Sequence, residues 1–391
     1  MMHHLHTARL RPALCCLLVA GLSLAAPAAR AQGAQPGPAA IADYQAKLAQ
    51  YQAARTPFEA QAAAYWTAIA DKRRGRNVKR RDHLPITLDD YVLTQPPVYS
   101  GPPRPVDPRT PGAPPPGRPD IPVIADFLHN AAEQFGFVPD RPANDLDFKR
   151  AYARAALAAG LTREQIVGVY AFETGGNGTY DSQAGLVPYR PGARAISPAI
   201  GYNQLLSTNS VSLLAEHGGR LAAALRQKSN ALSGNAKIVM ERKIDAFKRM
   251  IAFSRTVPDR WSEQDRLAKT TAGGYGIHAA VLDIDIGPLL QVQKLINSVH
   301  FARTKGYSVP LTAAELELMN LTGDSTGLDM VTMPHELRIR VPTANFFQQQ
   351  GYERNPVARR TGVVANLIAD IEAKMGQGAQ AQGSRELAAS F

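Results

Sequence analysis

The stretch of sequence that decides the fold is LTREQIVGVYAFETGG, residues 161–176. Thr162 and Gln165 have the spacing of a capping box, and the two glycines at its end are typical of a helix terminus. The pattern therefore predicts a helix that ends close to Glu173. Glu173 follows three apolar residues at helical spacing, namely Ile166, Val169 and Tyr170. Its carboxyl is therefore expected on the apolar face of the helix.

A carboxyl on an apolar face should have a raised pKa, because burial disfavours its charged form. A carboxylic acid that stays protonated near neutral pH is what a general acid for glycosidic bond cleavage requires. The alternative interpretation is that Glu173 turns outward from the helix end to reach solvent. This helix alone leaves both interpretations open.

Two later segments extend the pattern. Residues 195–206 read AISPAIGYNQLL, and residues 319–323 read MNLTG. A helix that ends in Glu-Ser/Thr, followed by A-x-S-x-x-x-G-x-x-Q-L, resembles the SLT-type lytic transglycosylases, which share the lysozyme-like fold. The chain departs from the family pattern at Thr174, which replaces Ser, at Tyr202-Asn203, which replace Leu-Met, and at Met319, which replaces Tyr. The interval after Glu173 is also longer, and we place the insertion near residues 186–194.

The resemblance covers residues 147–327 and implies a fold, a reaction and a set of roles. The substrate would be the glycan strands of peptidoglycan, cut between MurNAc and GlcNAc to leave 1,6-anhydro ends. Glu173 would be the only catalytic acid and base. Gln204 and Asn320 would hydrogen-bond sugar groups, although each could instead cap a helix or satisfy a buried loop. The remaining candidates for substrate binding are Tyr202, Asn203 and Tyr275; the two tyrosines could stack on sugars or lie in the core.

A glycoside hydrolase of this fold would need a second carboxylate to activate water or to act as nucleophile. The candidates are Asp181, Asp283 and Asp285. The turn-forming residues around Asp181 favour a place in a turn, and alternation puts the other two on the polar face of a short strand or at a loop edge. One alternative function is therefore a muramidase or chitinase-like hydrolase. Another is a wall-binding module that has lost turnover, because the family motifs are altered.

The sequence predicts neither a metal site nor a cofactor. It contains no H-E-x-x-H motif, and its histidines lack the spacing of metal ligands. The two cysteines, Cys15 and Cys16, lie in an apolar run that follows Arg9 and Arg11 and precedes an A-x-A site ending at Ala31. This arrangement predicts a signal peptide over residues 1–31, and a periplasmic or secreted protein without a transmembrane anchor.

Removal of residues 1–31 takes away three arginines and no acids, so the net charge of +11 becomes +8. The excess favours polyanions, and for an exported chain we expect wall or other envelope polymers and not nucleic acid. The most basic stretch runs from Lys72 to Arg81, with seven positive charges in ten residues. It could hold the protein on an anionic polymer or be a solvated helix end.

The predicted fold class is mainly α. We expect an N-terminal helical and basic segment over residues 32–95 and a Pro-rich linker over residues 96–122, where 12 of 27 residues are proline. A lysozyme-like helical domain would follow over residues 123–375, and residues 376–391 are expected to be a flexible tail.

Overall fold

The computed structural model of the protein describes residues 36–110, 120–186 and 193–391. The predicted signal peptide lies outside these residues, as do part of the Pro-rich stretch and most of the predicted insertion near residues 186–194. The fold of the described residues is mainly α, as predicted, and the pairing between extended segments there is limited to isolated bridges.

Sixteen α-helices, with three short 3₁₀ turns between them, make up the described chain. In order they are α1 Pro38–Arg81, α2 Ile124–Phe135, α3 Asp145–Ala158, α4 Arg163–Thr174, α5 Ser207–Asn230, α6 Gly234–Ser254, α7 Trp261–Thr270, α8 Ala272–His278, α9 Gly287–Thr304, α10 Ala313–Thr322, α11 Asp324–Val331, α12 His335–Arg338, α13 Gln349–Arg354, α14 Pro356–Thr361, α15 Val364–Ala379 and α16 Gln382–Ala388. No helix in these ranges combines the length and the apolar character that a membrane span needs.

The chain divides into two compact units. One comprises Met1–Ala54 and Gly101–Pro114, and its described part is the start of α1, as far as Ala54, and an extended segment. The other comprises Arg55–Ser100 and Pro115–Phe391 and holds the large hydrophobic core.

Helix α4 lies at the centre of the larger unit. It packs against α10 and α15 and also contacts α3 and α16. Ile166, Val169 and Tyr170 have no exposed surface, so the predicted apolar face is the face that enters the core. Gly168 has no side chain, and this lets α10 and α15 pack closely on α4. A Cβ at this position would lie 2.7 Å from the Ala313 side chain.

The prediction that a Pro-rich linker separates the N-terminal segment from the main domain needs correction. Residues 55–100 belong to the same compact unit as the core. Ile69 of α1 and Tyr91 are 2 % and 6 % exposed, and Tyr91 packs within the main hydrophobic cluster. The second half of α1 is therefore a structural part of the domain.

The basic run from Lys72 to Arg81 also makes tertiary contacts that the sequence did not predict. Arg73 donates to the backbone oxygens of Asn345 and Phe347, at 3.1 and 2.7 Å. Arg76 is 1 % exposed, and Arg80 forms an ion pair with Asp329 of α11 at 2.6 Å. Lys72 and Lys79 also contact Asp89 and Asp90, so five of the seven charges have partners outside α1. Any contact with a polyanion is therefore limited to the exposed side chains of the run.

The prediction of a flexible tail at the C-terminal end is wrong. Residues 376–391 include the end of α15 and all of α16. Leu387 has no exposed surface, and the backbone N–H of Ser384 donates to the carbonyl of Gly176 at 2.9 Å. Lys149 of α3, itself 3 % exposed, joins Glu386 at 2.7 Å. The C-terminus therefore supports the turn that follows α4, and with it the position of Glu173.

Candidate active site

Glu173 lies one residue before the end of α4, and local sequence fixes that end. The capping box of Thr162 and Gln165 starts the helix, and Gly175 terminates it in the left-handed conformation with a φ of 63°. A residue with a Cβ is strained at this φ, which explains the glycine. The Nδ2 of Asn320, on α10, donates to Oε1 of Glu173 at 2.9 Å. The Glu173 carboxyl is thus carried by α4 and held in place by a residue of α10.

Glu173 faces two cavities. Three residues line both of them, namely Glu173, Ala184 and Gln204. The larger cavity has a volume of about 870 Å³ and runs between α5, α7, α9 and the end of α10. The smaller has a volume of about 250 Å³ and lies over the turn after α4, beside Gly178 and Ser182. A polymer that crossed both cavities would pass over the carboxyl.

A second carboxyl, that of Glu317, lies against Glu173 from inside the protein. Glu317 is on α10, one helical turn before Asn320, and has no exposed surface. Neither of its oxygens accepts a hydrogen bond from a described donor group. Burial and the neighbouring Glu173 carboxyl raise the pKa of Glu317 well above 4.5. Burial therefore favours the protonated form of Glu317, and in that form its carboxyl can donate a hydrogen bond to the Glu173 carboxylate.

The environment of Glu173 itself suits a general acid. Burial raises the pKa of Glu173 from 4.5 to about 7, although hydrogen bonds from Glu317 and Asn320 and the nearby charge of Lys294 act in the opposite direction. The side chain keeps part of its surface open to the cavities while protein encloses the rest. Its carboxyl can therefore hold a proton near neutral pH and still reach a bound molecule.

The loop with the predicted G-Y-N-Q motif brings Gln204 next to the acid. Gly201 has a φ of 84°, and a Cβ there would lie 3.0 Å from the Gln291 amide. Gln204 also adopts a positive φ of 44°, which is uncommon for a residue with a side chain. Its Nε2 donates to the carbonyls of Ser182 and Gly201, at 3.0 and 2.8 Å. Gln204 therefore both closes its own loop and lines the two cavities.

Two of the predicted sugar contacts lie in the core. Tyr202 has no exposed surface and donates its hydroxyl to Oδ1 of Asp145 at 2.9 Å, so it cannot stack on a sugar. Asn203 is 1 % exposed; it accepts from the Tyr152 hydroxyl and donates to the carbonyl of Gln291. Although Asn203 borders the larger cavity, both ends of its amide are satisfied within the protein. The two residues position the loop.

Tyr275 is likewise away from the acid. Its hydroxyl donates to the carbonyl of Lys269 at 2.6 Å, and it lines neither cavity at Glu173. The stacking role predicted for Tyr275 is therefore not supported.

The three aspartates considered as second carboxylates have structural partners. Asp181 forms an ion pair with Arg141 at 2.5 Å. Asp283 and Asp285 surround the Lys243 ammonium at 3.0 and 2.8 Å, and they form a turn that leads into α9, without a strand. None of the three lines a cavity next to Glu173.

His278 holds the loop that precedes the G-Y-N-Q motif. The sequence did not single out this residue. One ring nitrogen lies 2.8 Å from the Ser210 hydroxyl, and the other lies 2.9 Å from the carbonyl of Pro198. Burial lowers the pKa of His278 to about 4. The neutral imidazole therefore joins the loop to α5 and α8. No cluster of potential metal ligands occurs within residues 36–110, 120–186 and 193–391.

Replacing Glu317 with Gln should raise the thermal stability more at pH 8 than at pH 5. The pKa of Glu317 is higher in the folded than in the unfolded state, so wild-type stability falls as the pH rises above the unfolded value of 4.5. Glutamine has the same shape, can still donate to Glu173 and never ionises. Melting temperatures of both proteins across this pH range measure the effect.

Glu372→Gln, at an exposed position on α15, is the matched control and should show no such difference. If the stability gain of Glu317→Gln were the same at pH 5 and pH 8, Glu317 would not be a buried acid with a raised pKa.

Comparison with known proteins adds no relative. No family model matches the chain, and no curated protein and no solved structure matches it either.

Proposed function

We propose that the protein is a peptidoglycan lytic transglycosylase with a lysozyme-like arrangement of helices and with Glu173 as its general acid and base. The observation that carries this proposal is the position of the Glu173 carboxyl. It lies at the junction of two cavities, its pKa is raised to about 7, and Asn320 and Glu317 hold it from behind. The order of the three motifs along the chain supports the same function. The exported compartment predicted from residues 1–31 agrees with a wall substrate.

The reaction needs one carboxyl that acts first as a general acid and then as a general base. The protonated Glu173 donates its proton to the oxygen between C1 of MurNAc and the next GlcNAc, and the C1–O bond breaks with its electron pair on that oxygen. The Glu173 carboxylate then takes the proton from the C6 hydroxyl of the same MurNAc. Oxygen O6 bonds to C1, which gives the 1,6-anhydro product and restores the acid. No water molecule is consumed.

Glu317 assists as a positioning residue in this scheme. In its protonated form Glu317 would donate a hydrogen bond and so stabilise the Glu173 carboxylate that forms after the first proton transfer. Asn320 donates to the other side of the same carboxyl group. The two donors also keep the acid aimed at the cavities.

Glu317 does not have the position of the second carboxylate in a two-carboxylate hydrolase. Paired carboxylates of glycoside hydrolases are separated by roughly 5–9.5 Å, so that the sugar lies between them. Glu317 instead lies directly against Glu173 and does not line either cavity. The other carboxylates of the larger cavity are Glu216 and Asp324, and the latter accepts a hydrogen bond from Ser298 at 2.6 Å.

A wall-binding module without turnover is less well supported. Binding alone does not require a raised pKa, and a buried acid lowers stability at neutral pH. A pair of carboxyls with raised pKa values, one of which lines a cavity, is more typical of a catalytic site.

Digestion of purified sacculi, followed by mass analysis of the fragments, tests the proposed function. The wild-type protein should release muropeptides with 1,6-anhydro-MurNAc ends, which are lighter than reducing ends by one water. Reducing ends would indicate the hydrolase, with Glu216 or Asp324 as the first residues to examine. Sacculi that remain intact but retain the protein would indicate the binding module.

A further inference from the structure

The larger cavity carries an exposed aromatic residue that the proposed reaction does not use. Trp261 is one of two tryptophans in the chain and is 55 % exposed. It is the first residue of α7 and lines the same cavity as Glu173. A ligand that covered this exposed indole would gain the free energy of burying its apolar surface.

The position of Trp261 is fixed by the packing of α7 on α5. Asp265, one helical turn after Trp261, accepts a hydrogen bond from the Thr208 hydroxyl at 2.6 Å. Leu267 and Ala268, further along α7, are buried in the core. The indole is therefore mounted on a helix that is anchored at the start of α5, and not on a mobile loop.

The floor of the cavity has the composition of a carbohydrate site. One face of α5 contributes side chains at helical spacing, and α9 adds a lysine and an amide; these residues are Asn209, Ser212, Leu213, Glu216, Lys294 and Asn297. Hydroxyl, amide and charged groups of this kind hydrogen-bond sugar hydroxyl and N-acetyl groups. The pyranose ring also has an apolar face of C–H groups, which packs on an aromatic ring.

We propose that Trp261 is a stacking platform for a sugar residue of the glycan strand, at a subsite remote from the scissile bond in the larger cavity. This inference rests on the proposed function, because it assigns the larger cavity to the same strand that Glu173 cleaves. Trp261 acts in binding and takes no part in proton transfer. Its contribution should therefore appear in KM for long strands and not in the chemical step.

Fluorescence titration of the Glu173→Gln protein tests the subsite without turnover. The probe is uncrosslinked, soluble glycan strands prepared from sacculi. Binding should change the emission of Glu173→Gln saturably, and the change should persist in Glu173→Gln/Trp66→Phe, which keeps Trp261 as its only tryptophan. Trp66 packs against Tyr352 in a different groove, so it serves as the matched control. The change should disappear in Glu173→Gln/Trp261→Phe.

Kinetics on strands of different length give a second measurement. Trp261→Ala should raise KM for long strands roughly two- to ten-fold, which corresponds to the free energy of one aromatic contact. The shortest strands that are still cleaved should show no change, because they do not reach the indole. Trp261→Phe should retain part of the effect.

The possible outcomes distinguish a failure of the subsite proposal from a failure of the proposed function. Anhydro products from the wild type, together with an unchanged KM of Trp261→Ala for long strands, would overturn the subsite and leave the lyase proposal standing. An equal loss on strands of all lengths would also overturn it, since Trp261 would then support the fold or the acid. No cleavage by the wild type and no fluorescence change in Glu173→Gln would overturn both proposals.

Discussion

Replacing Glu173 with Gln should lower the rate of sacculus digestion by roughly 10²–10⁴-fold, the contribution of general acid–base catalysis. We expect the upper end of this range, because one carboxyl performs both proton transfers. Glutamine matches glutamate in shape and can still bind the glycan strand, but it cannot donate and recover a proton. Initial rates of soluble muropeptide release from equal amounts of the two proteins measure the loss.

Two controls show whether this loss is chemical. Glu164→Gln changes an exposed glutamate on the same helix, whose side chain is 71 % exposed, and should digest sacculi at the wild-type rate. Glu173→Gln should also unfold at a higher temperature than wild type at pH 8. The pKa of Glu173 is about 7 in the folded protein against an ordinary value of 4.5, so ionisation of Glu173 costs up to about 3 kcal/mol at that pH. A rate equal to that of wild type would remove Glu173 from the mechanism.

Replacing Arg76 with Ala should destabilise the domain by about 2–4 kcal/mol. The Arg76 guanidinium donates to the carbonyl of Asp90 at 2.8 Å and to that of Asn345 at 3.1 Å. It also lies 4.4 Å from the centre of the Tyr91 ring. Its removal leaves a cavity, takes the guanidinium donor from the Asp90 carbonyl, and leaves the Asn345 carbonyl with Arg73 as its remaining arginine donor. Chemical denaturation measures the loss as a decrease in the free energy of unfolding.

Arg74 provides the matched control on the same helix. Its side chain is 73 % exposed and pairs with Asp71, so Arg74→Ala should change stability by less than about 0.5 kcal/mol. Arg76→Met should recover part of the loss, since it restores the apolar stem without the hydrogen bonds. Equal stabilities of Arg76→Ala and Arg74→Ala would contradict the role of α1 as a fixed part of the domain.

Local features were predictable because local physics determines them. The capping box at Thr162, the glycine stop at Gly175 and the buried face of α4 all follow from residues within one helix. The mainly helical class followed in the same way. Of the residues at the candidate site, the sequence predicted Glu173, Gln204 and Asn320. The structure brings these residues together, with Asn320 directly on the acid.

The remaining features depend on contacts between distant segments. Glu317 lies between two leucines, where nothing in the sequence distinguishes it from a surface glutamate; only the packing of α10 on α4 buries it against Glu173. Tyr202 was expected at the sugar because of its place in a motif, but Asp145, 57 residues earlier, holds its hydroxyl in the core. The sequence left the basic run open as a polymer contact or a solvated helix end, because the partners of its arginines at Asn345 and Asp329 are more than 240 residues away.

The central claim is that Glu173 cleaves the glycan strand without using water. Digestion of sacculi in water enriched in heavy oxygen, followed by mass analysis of the new chain ends, tests it most directly. We predict 1,6-anhydro-MurNAc ends that carry no heavy oxygen, and no new ends with Glu173→Gln. Reducing ends that carry one heavy oxygen each would contradict the claim and identify a hydrolase.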